Sequence, residues 1–60
     1  MGMTTYYIID GRTVHSEEYK GINQIHKTAH ELLNNHNATT LDAITDNDRF
    51  TINKPGTNGK

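Results

Sequence analysis

The sequence has no cysteine, no tryptophan, one proline and one phenylalanine among its 60 residues. Without cysteine it can form neither a disulfide nor a thiolate metal site, which suits a reducing compartment and indicates the cytoplasm. The formal net charge is only -1, so the chain lacks the broad electrostatic field that draws a protein to nucleic acid or to a membrane surface. No apolar run approaches the length of a membrane span. These shortages predict a small soluble protein.

The length of 60 residues predicts one domain near the lower size limit for independent folding. A chain of this length buries only about 60% of the surface that its unfolded form exposes. We expect the domain to occupy residues 4–53, after a disordered start at residues 1–3. The segment KPGTNGK, residues 54–60, has no apolar residue and is expected to be a disordered tail. Association with another protein would supplement so small a core.

The first informative pattern in the sequence is that of a β-hairpin. Asp10 and Gly11 lie between the β-prone runs TTYYII and RTVH, which predicts a two-residue type I′ turn. That turn would pair Ile9 with Arg12, Ile8 with Thr13, Tyr7 with Val14 and Tyr6 with His15. Because side chains alternate along a strand, one face receives Tyr7, Ile9, Arg12 and Val14. The other face receives Tyr6, Ile8, Thr13 and His15.

An amphipathic helix is predicted next, over about residues 18–35. Ser16 is a suitable N-cap, and Glu17 and Glu18 suit the positive N-terminal end of a helix, although Gly21 would delay the regular helix to about Lys20. A stripe repeats at helical spacing: it consists of the apolar residues Ile22, Ile25, Ala29 and Leu32 followed by His36, and Leu33 flanks it. The Asn-rich segment NNHN is expected to end the helix, because Asn tolerates the left-handed conformation of a C-cap.

The segment ATTLDAITDNDRFTINK is predicted to form two strands. Leu41 and Ala43 would share one face, Phe50 and Ile52 would share one face of the next strand, and DND would supply the turn. A short helix over residues 40–45 is the alternative, because Thr39 and Asp42 have capping-box spacing. The threonines and the Asp-rich turn favour the strands.

The predicted fold class is therefore α+β, a two-layer β-β-α-β-β arrangement with one helix packed on one face of an antiparallel sheet. One helix covers only one side of a four-stranded sheet, so the other side stays open. If Tyr7, Ile9 and Val14 face the helix, the open side shows Tyr6, Ile8 and Ile44. If the hairpin is turned over, Tyr7, Ile9 and Val14 are exposed instead. The first orientation is preferred because it buries one more apolar residue.

An apolar open face on a small protein is typical of an interaction surface. We therefore expect a non-catalytic module, of the accessory, inhibitor or adaptor type common in phage and prophage genomes, that binds a partner protein or a second copy of itself. An exposed strand edge could take part by adding a strand across a dimer. The expected partner-binding residues are Tyr6, Ile8, Thr13, His15 and Ile44. The competing interpretation is that these are ordinary half-exposed side chains.

Binding of single-stranded nucleic acid is the alternative function. Tyr6 or Tyr7 with Arg12 and His15 would form a platform on which unpaired bases stack, and lysines such as Lys20 would meet phosphates. Against this, the six basic residues are outnumbered by seven acidic ones, and phosphate contacts supply most non-specific affinity. Nucleic acid is therefore the less favoured partner, and a membrane is not expected.

Candidates for chemistry are weak. His26 and His30 are spaced i and i+4 and could reach one metal ion from the same helix face, but HKTAHE does not have the order of the HExxH motif. A third ligand would have to come from His15, Glu18 or His36. The simpler interpretation is that His26 borders the apolar stripe, while His30 lies at the edge of the stripe in water. No carboxylate is placed in a pocket by the sequence, so we expect no enzyme activity, no metal and no cofactor.

Overall fold

The computed structural model describes residues 2–46 and 48–54. In chain order these residues form strand β1 (Thr4–Ile9), strand β2 (Arg12–Glu18), helix α1 (Ile22–Asn35), strand β3 (Thr40–Ile44) and strand β4 (Arg49–Asn53). The strands make one antiparallel sheet in the order β2-β1-β3-β4, and α1 packs on one of its faces. The predicted two-layer α+β fold is confirmed.

The ends of the sheet extend slightly past the predicted domain of residues 4–53. The backbone N–H of Tyr19 donates to the carbonyl of Met3 at 2.7 Å, and the N–H of Lys54 donates to the carbonyl of Thr39 at 2.8 Å. Each bond continues a strand ladder by one residue. Residues 1 and 55–60, where disorder was predicted, lie outside the described part of the chain.

The first hairpin closes as predicted and then changes register. Asp10 and Gly11 have positive φ values of 53° and 79°, as a type I′ turn requires. Ile9 pairs with Arg12 and Ile8 with Thr13, but Tyr7 then pairs with His15 and Tyr6 with Ser16. The predicted pairings of Tyr7 with Val14 and of Tyr6 with His15 are therefore wrong. Val14 is the extra residue of a β-bulge, and beyond a bulge the side chains of the strand change faces.

Strand β2 also continues further than predicted, which delays the helix. Glu17 and Glu18 pair with Thr5 and Thr4 of β1, so the predicted roles of Ser16 as an N-cap and of these two carboxylates as helix-end charges are wrong. The ladder with β1 holds this segment extended until Gly21, whose φ of 117° is readily adopted only by glycine. The helix begins at Ile22, and its first bond runs from the N–H of Ile25 to the carbonyl of Gly21 at 3.3 Å.

The end of the helix follows the prediction from the Asn-rich segment. Asn37 has a left-handed φ of 53°. The backbone N–H groups of His36 and Ala38 donate to the carbonyls of Leu32 and Leu33, both at 2.9 Å. These bonds satisfy carbonyls that a helix end otherwise leaves without partners.

The core lies between α1 and one face of the sheet, and it settles the orientation of the hairpin. Val14 packs against the buried cluster, to which the sheet contributes Tyr7, Ile9, Leu41, Ala43 and Ile52, and half-buried Phe50 packs against the same cluster. The helix contributes Ile25, Ala29 and Leu33. The preferred orientation, with Tyr7, Ile9 and Val14 towards the helix, is therefore confirmed. Residues 40–44 are a strand and not the alternative helix, while Asn47 of the predicted turn lies outside the described residues.

Two buried threonines differ in how their hydroxyl groups are satisfied. The Thr28 hydroxyl donates to Oε2 of Glu17 at 2.9 Å. The Thr5 side chain is fully buried, and within residues 2–46 and 48–54 its hydroxyl has no hydrogen-bond partner. A buried polar group without a partner costs stability, whereas a bonded one contributes to it.

We therefore expect Thr5→Val and Thr28→Val to have opposite effects in urea denaturation. Thr5→Val should raise the free energy of unfolding by about 1 kcal/mol because it removes an unsatisfied hydroxyl. Thr28→Val, the matched control, should lower it by about 1.5 kcal/mol because it removes a bond to a charged acceptor. An equal loss in both variants would contradict the assignment of the two hydroxyl groups.

Candidate functional site on the open sheet face

The face of the sheet turned away from α1 carries the candidate site, and we call it the open face. Strand alternation and the observed register place eight central side chains on it, namely Tyr6, Ile8, Thr13, Ser16, Asp42, Ile44, Arg49 and Thr51. Tyr6 lies directly opposite Ile44, and Ile8 lies directly opposite Asp42. The open face therefore spans all four strands, with apolar residues only on the two central ones.

The centre of the open face is an apolar strip formed by Tyr6, Ile8 and Ile44. Tyr6 is 47% exposed, and the two isoleucines are half-buried. Residues directly opposite each other on antiparallel strands lie about 5.5 Å apart at their Cα atoms, and diagonal neighbours lie within reach of long side chains. The three side chains thus form one continuous surface instead of isolated exposed residues.

A polar cluster on β3 and β4 borders this strip. The Asp42 carboxylate accepts hydrogen bonds from Nη2 of Arg49 at 2.8 Å and from the Thr51 hydroxyl at 3.0 Å. The bond from Arg49, followed by that from Thr51, holds the pKa of Asp42 below its usual value. The Arg49 side chain is still 68% exposed, so the ion pair adds little stability. Its effect is to hold a guanidinium group beside the apolar strip.

Four of the five predicted site residues lie together on the open face: Tyr6, Ile8, Thr13 and Ile44. His15 does not, because the bulge at Val14 moves it opposite Tyr7 on the helix side of the sheet. Its ring centroid lies 5.6 Å from that of Tyr7. The placement of His15 on the open face is therefore corrected.

Arg49 and Thr51 are residues of the open face that the sequence prediction omitted. Both reach Asp42 because the β3–β4 hairpin pairs Thr51 with Asp42 and Arg49 with Ile44. The alternating pattern of these strands would have placed them there once the turn length was known, since side chains two apart on a strand share a face.

The predicted base-stacking platform is not assembled on one exposed surface. Tyr6 is exposed but lies on the open face, whereas Arg12 pairs with Ile9 and His15 pairs with Tyr7, two residues of the helix side. Tyr7 does lie near His15, but its ring is fully buried. A base needs an exposed aromatic ring to stack on, and of the two tyrosines only Tyr6 offers one. On the open face of the described sheet, Arg49 is the only cationic group near Tyr6.

On the opposite side of the sheet, hydrogen bonds converge on Glu17. Its Oε2 atom accepts from the Tyr7 hydroxyl at 2.8 Å, from Thr28 at 2.9 Å and from the Gln24 amide at 3.4 Å. Its Oε1 atom lies 3.4 Å from Nε2 of His15. These five residues, the Glu17 cluster, join β1, β2 and α1. Sequence reasoning missed them because it placed Glu17 at the end of the helix.

The Glu17 cluster shifts two pKa values in opposite directions. Burial, together with the bond to the Glu17 carboxylate, raises the pKa of Tyr7 to about 12. Burial alone would raise the pKa of Glu17, but the bonds from Tyr7, Thr28, Gln24 and His15 outweigh it and leave that pKa below its usual value. The stability supplied by Glu17 is therefore lost as the pH falls below about 4.5 and through the lowered pKa. The stability supplied by Tyr7 is lost as the pH rises from about 10 towards 12.

This arrangement is that of a structural cluster. At neutral pH Tyr7 is protonated and donates its hydrogen to a carboxylate that is already ionised. A general acid needs a carboxyl group whose pKa is raised towards neutrality, whereas the pKa values of both Glu17 and Asp42 are lowered. Neither carboxylate has the property that acid catalysis at neutral pH requires.

The two helix histidines lie near each other and on the surface. The ring centroids of His26 and His30 are 6.3 Å apart with an edge-to-face tilt. No group of three or more His, Cys, Asp or Glu side chains capable of holding a metal occurs in the part of the chain that the structure describes. None of the candidate third ligands, His15, Glu18 and His36, forms such a group with this pair.

Comparison with known proteins returns no match to a protein-family model, to a curated protein or to a solved structure. Among the described residues, no helix has the length and apolar content needed to cross a membrane. The geometry of the open face is accordingly the main indication of what this chain does.

The Tyr7 hydroxyl provides a test of the Glu17 cluster through alkaline pH. We expect the thermal midpoint of the wild type to fall as the pH rises from about 10 to 12, because ionisation of Tyr7 places two negative charges side by side. Tyr7→Phe should lower the free energy of unfolding by about 1.5 kcal/mol at pH 7 and weaken this alkaline dependence.

Tyr6→Phe is the matched control, because it removes the hydroxyl of the neighbouring exposed tyrosine. It should keep the alkaline dependence of the wild type. Identical pH profiles for wild type and Tyr7→Phe would contradict the role given to the Tyr7–Glu17 bond.

Proposed function

We propose that this chain is a small non-catalytic protein-interaction module that binds a partner protein through the open face. In this role it would act as an accessory protein, an inhibitor or an adaptor, of the kind common in phage and prophage genomes. The absence of cysteine favours action in the cytoplasm. No cofactor and no membrane contact is part of the proposal.

The observation that carries this proposal is the apolar strip of Tyr6, Ile8 and Ile44, on a face that no helix of the described residues covers. Continuous apolar surface bordered by polar groups is typical of protein interfaces. Tyrosine and arginine are the residue types enriched among side chains that dominate binding energy, and here Tyr6 and Arg49 flank the same paired residue, Ile44. The open face therefore has an apolar centre with hydrogen-bonding groups around it.

The chemistry of this surface supports a partner surface that is partly apolar and carries little net charge. The charges of Asp42 and Arg49 largely compensate each other through their 2.8 Å contact, so the strip does not select a strongly acidic or basic target. A flat partner surface with its own apolar residues would bury Tyr6 and Ile44. Its polar groups would meet the exposed guanidinium and the hydroxyl groups of Thr13 and Ser16 at the rim.

We expect the double variant Tyr6→Glu/Ile44→Lys to lose partner binding. The two side chains are directly opposite each other, so the introduced charges can form a cross-strand pair that keeps the sheet folded. The partner, captured from the native host with the wild-type protein and then purified, is titrated by calorimetry. Its dissociation constant should rise by about 30-fold or more, the effect of losing a dominant tyrosine contact.

The control is His26→Glu/His30→Lys, which introduces the same two charges on the exposed surface of α1, and it should bind as the wild type does. Equal affinity of all three proteins would contradict the proposal. Fluorescence anisotropy with labelled single-stranded oligonucleotides tests the alternative: salt-dependent binding that disappears in Tyr6→Glu/Ile44→Lys would favour nucleic acid as the partner.

A further inference from the structure

The two edges of the sheet are unlike each other. The β2 edge is bent by the bulge at Val14 and carries the charged residues Arg12 and Glu18. The β4 edge is regular, since its pairing with β3 runs without a shift from Ile44↔Arg49 to Thr40↔Asn53. Proteins commonly protect sheet edges with bulges, charges or proline. Strand β4, with the sequence RFTIN, contains neither a bulge nor a proline.

The alternation of hydrogen bonds along the β3–β4 ladder shows which backbone groups of β4 point outwards. At one end the N–H of Lys54 donates to Thr39, and at the other the N–H of Thr45 donates to the carbonyl of Asp48. Because the bonded residues of an antiparallel strand alternate, Asp48, Phe50, Ile52 and Lys54 direct their backbone groups to β3. The N–H and C=O groups of Arg49, Thr51 and Asn53 therefore point away from β3.

The charged side chain on this edge is held away from the outward backbone groups. Arg49 extends to Asp42 at 2.8 Å, across the open face and towards β3. The Thr51 hydroxyl is directed to the same carboxylate at 3.0 Å. The edge thus presents backbone groups that a further strand can pair with.

We propose that β4 pairs antiparallel with β4 of a second copy of this chain, about a two-fold axis at Thr51, to give an eight-stranded sheet. The outward groups then form three pairs, namely Thr51 with the second copy's Thr51 and Arg49 with the second copy's Asn53 in both directions. Each such pair exchanges two backbone hydrogen bonds, about six in all. The pairing uses a surface separate from the apolar strip and goes beyond the proposed function.

The side chains of β4 are self-complementary in this register. On the helix side, half-buried Phe50 lies opposite the second copy's Ile52, a combination of aromatic and β-branched side chains that stabilises antiparallel pairs. Two residues further along each strand, Asp48 lies opposite the second copy's Lys54, so opposite charges meet at both ends of the interface. Arg49 meets an uncharged Asn53, which avoids repulsion.

Neighbouring registers lack this complementarity. An axis at Phe50 would place Asp48 opposite the apolar Ile52, and an axis at Ile52 would place Lys54 opposite Phe50. Either shift also leaves about four outward backbone bonds instead of six. The charge and apolar pattern of residues 48–54 therefore specifies the axis at Thr51.

Pairing at the β4 edge would place both helices on one side of the extended sheet and both open faces on the other. The two apolar strips would then lie on one continuous surface. The dimer would offer a partner two equivalent binding surfaces at a fixed separation, which raises the affinity for a target with a repeated or two-fold symmetric surface.

The oligomeric state is measured by sedimentation equilibrium at protein concentrations between about 10 μM and 1 mM. This range covers the dissociation constants of weak and moderately stable dimers. We expect a dimer of twice the 6.8 kDa chain mass. Thr51→Pro removes the outward N–H and keeps the backbone bonds to β3, because proline is tolerated where the N–H of an edge strand points outwards, but it also loses the hydroxyl bond to Asp42. It should raise the dissociation constant of the dimer at least about 100-fold, while Thr51→Val, which loses only the hydroxyl, should keep the dimer.

A charge exchange tests the register without altering the backbone. Asp48→Lys should weaken the dimer because two lysines then face each other at each end. The double variant Asp48→Lys/Lys54→Asp should restore it. A failure of the double variant to restore the dimer would overturn the axis at Thr51.

A cysteine scan decides the question even if Thr51→Pro fails to fold, which circular dichroism would reveal. The chain has no cysteine, so Thr51→Cys introduces a single thiol. In the proposed register two such residues lie about 5.5 Å apart at Cα, within disulfide range, and should cross-link on oxidation, whereas Thr13→Cys on the β2 edge should not.

Three results would overturn the proposal: a monomer at every concentration, cross-linking of Thr13→Cys as efficient as that of Thr51→Cys, or a dimer that survives in folded Thr51→Pro. If such a surviving dimer is dissociated by Tyr6→Glu/Ile44→Lys, self-association runs through the open face instead. Partner titrations with Asp48→Lys separate the two proposals, because this substitution weakens the dimer from the helix side of the sheet and leaves the open face of each monomer intact.

Discussion

The extra residue at Val14 determines how the sheet meets the helix. Without the bulge, with Val14 paired as in a regular strand, every side chain of β2 after Val14 would change faces, and Glu17 would point away from α1. With it, the Glu17 carboxylate reaches the hydroxyl groups of Tyr7 and Thr28 at 2.8 and 2.9 Å, which ties both strands of the hairpin to the helix. The same bulge removes His15 from the open face and bends the β2 edge. One inserted residue thus connects the core, the open face and the difference between the two sheet edges.

The size of the chain sets a second constraint. Helix α1 has 14 residues, enough to cover one side of four short strands, and the described chain has no other helix to cover the second side. The open face is consequently kept in contact with solvent by mainly polar residues, with the apolar strip confined to β1 and β3. A small domain gains stability when such a surface is buried against a partner, because its own core is limited. The small core and the apolar strip on the open face therefore both favour binding to a partner.

Much of the fold was predictable from local patterns. Asp10 and Gly11 indicated the turn, the spacing of Ile25, Ala29 and Leu33 indicated the helix, and alternation placed Tyr6, Ile8 and Ile44 on one face. The bulge was not predictable, because Val14 suits a regular strand as well as a bulge and only the faces taken by the residues after it distinguish the two. The start of the helix was missed for a related reason: Ser16 and Glu17 suit a helix end by type, but pairing with β1 holds them extended. The polar cluster at Asp42 depends on the register of two strands, which composition does not specify.

The strand-to-helix junction has a consequence for how the molecule fluctuates. Glu17 is engaged with Tyr7, no acidic residue lies in the first helical turn, and among the described residues no side chain caps that turn. Ile22 is 41% exposed, whereas Ile25 is buried, so apolar burial anchors the end of this turn but not its first residue. Local opening begins where burial and bonding are weakest, and amide hydrogens at the beginning of α1 should consequently exchange with solvent before those around Ala29 and Leu33. The junction would then fray only near Ile22, because the bond from Gln24 to Glu17 and the burial of Ile25 keep the following residues on the sheet.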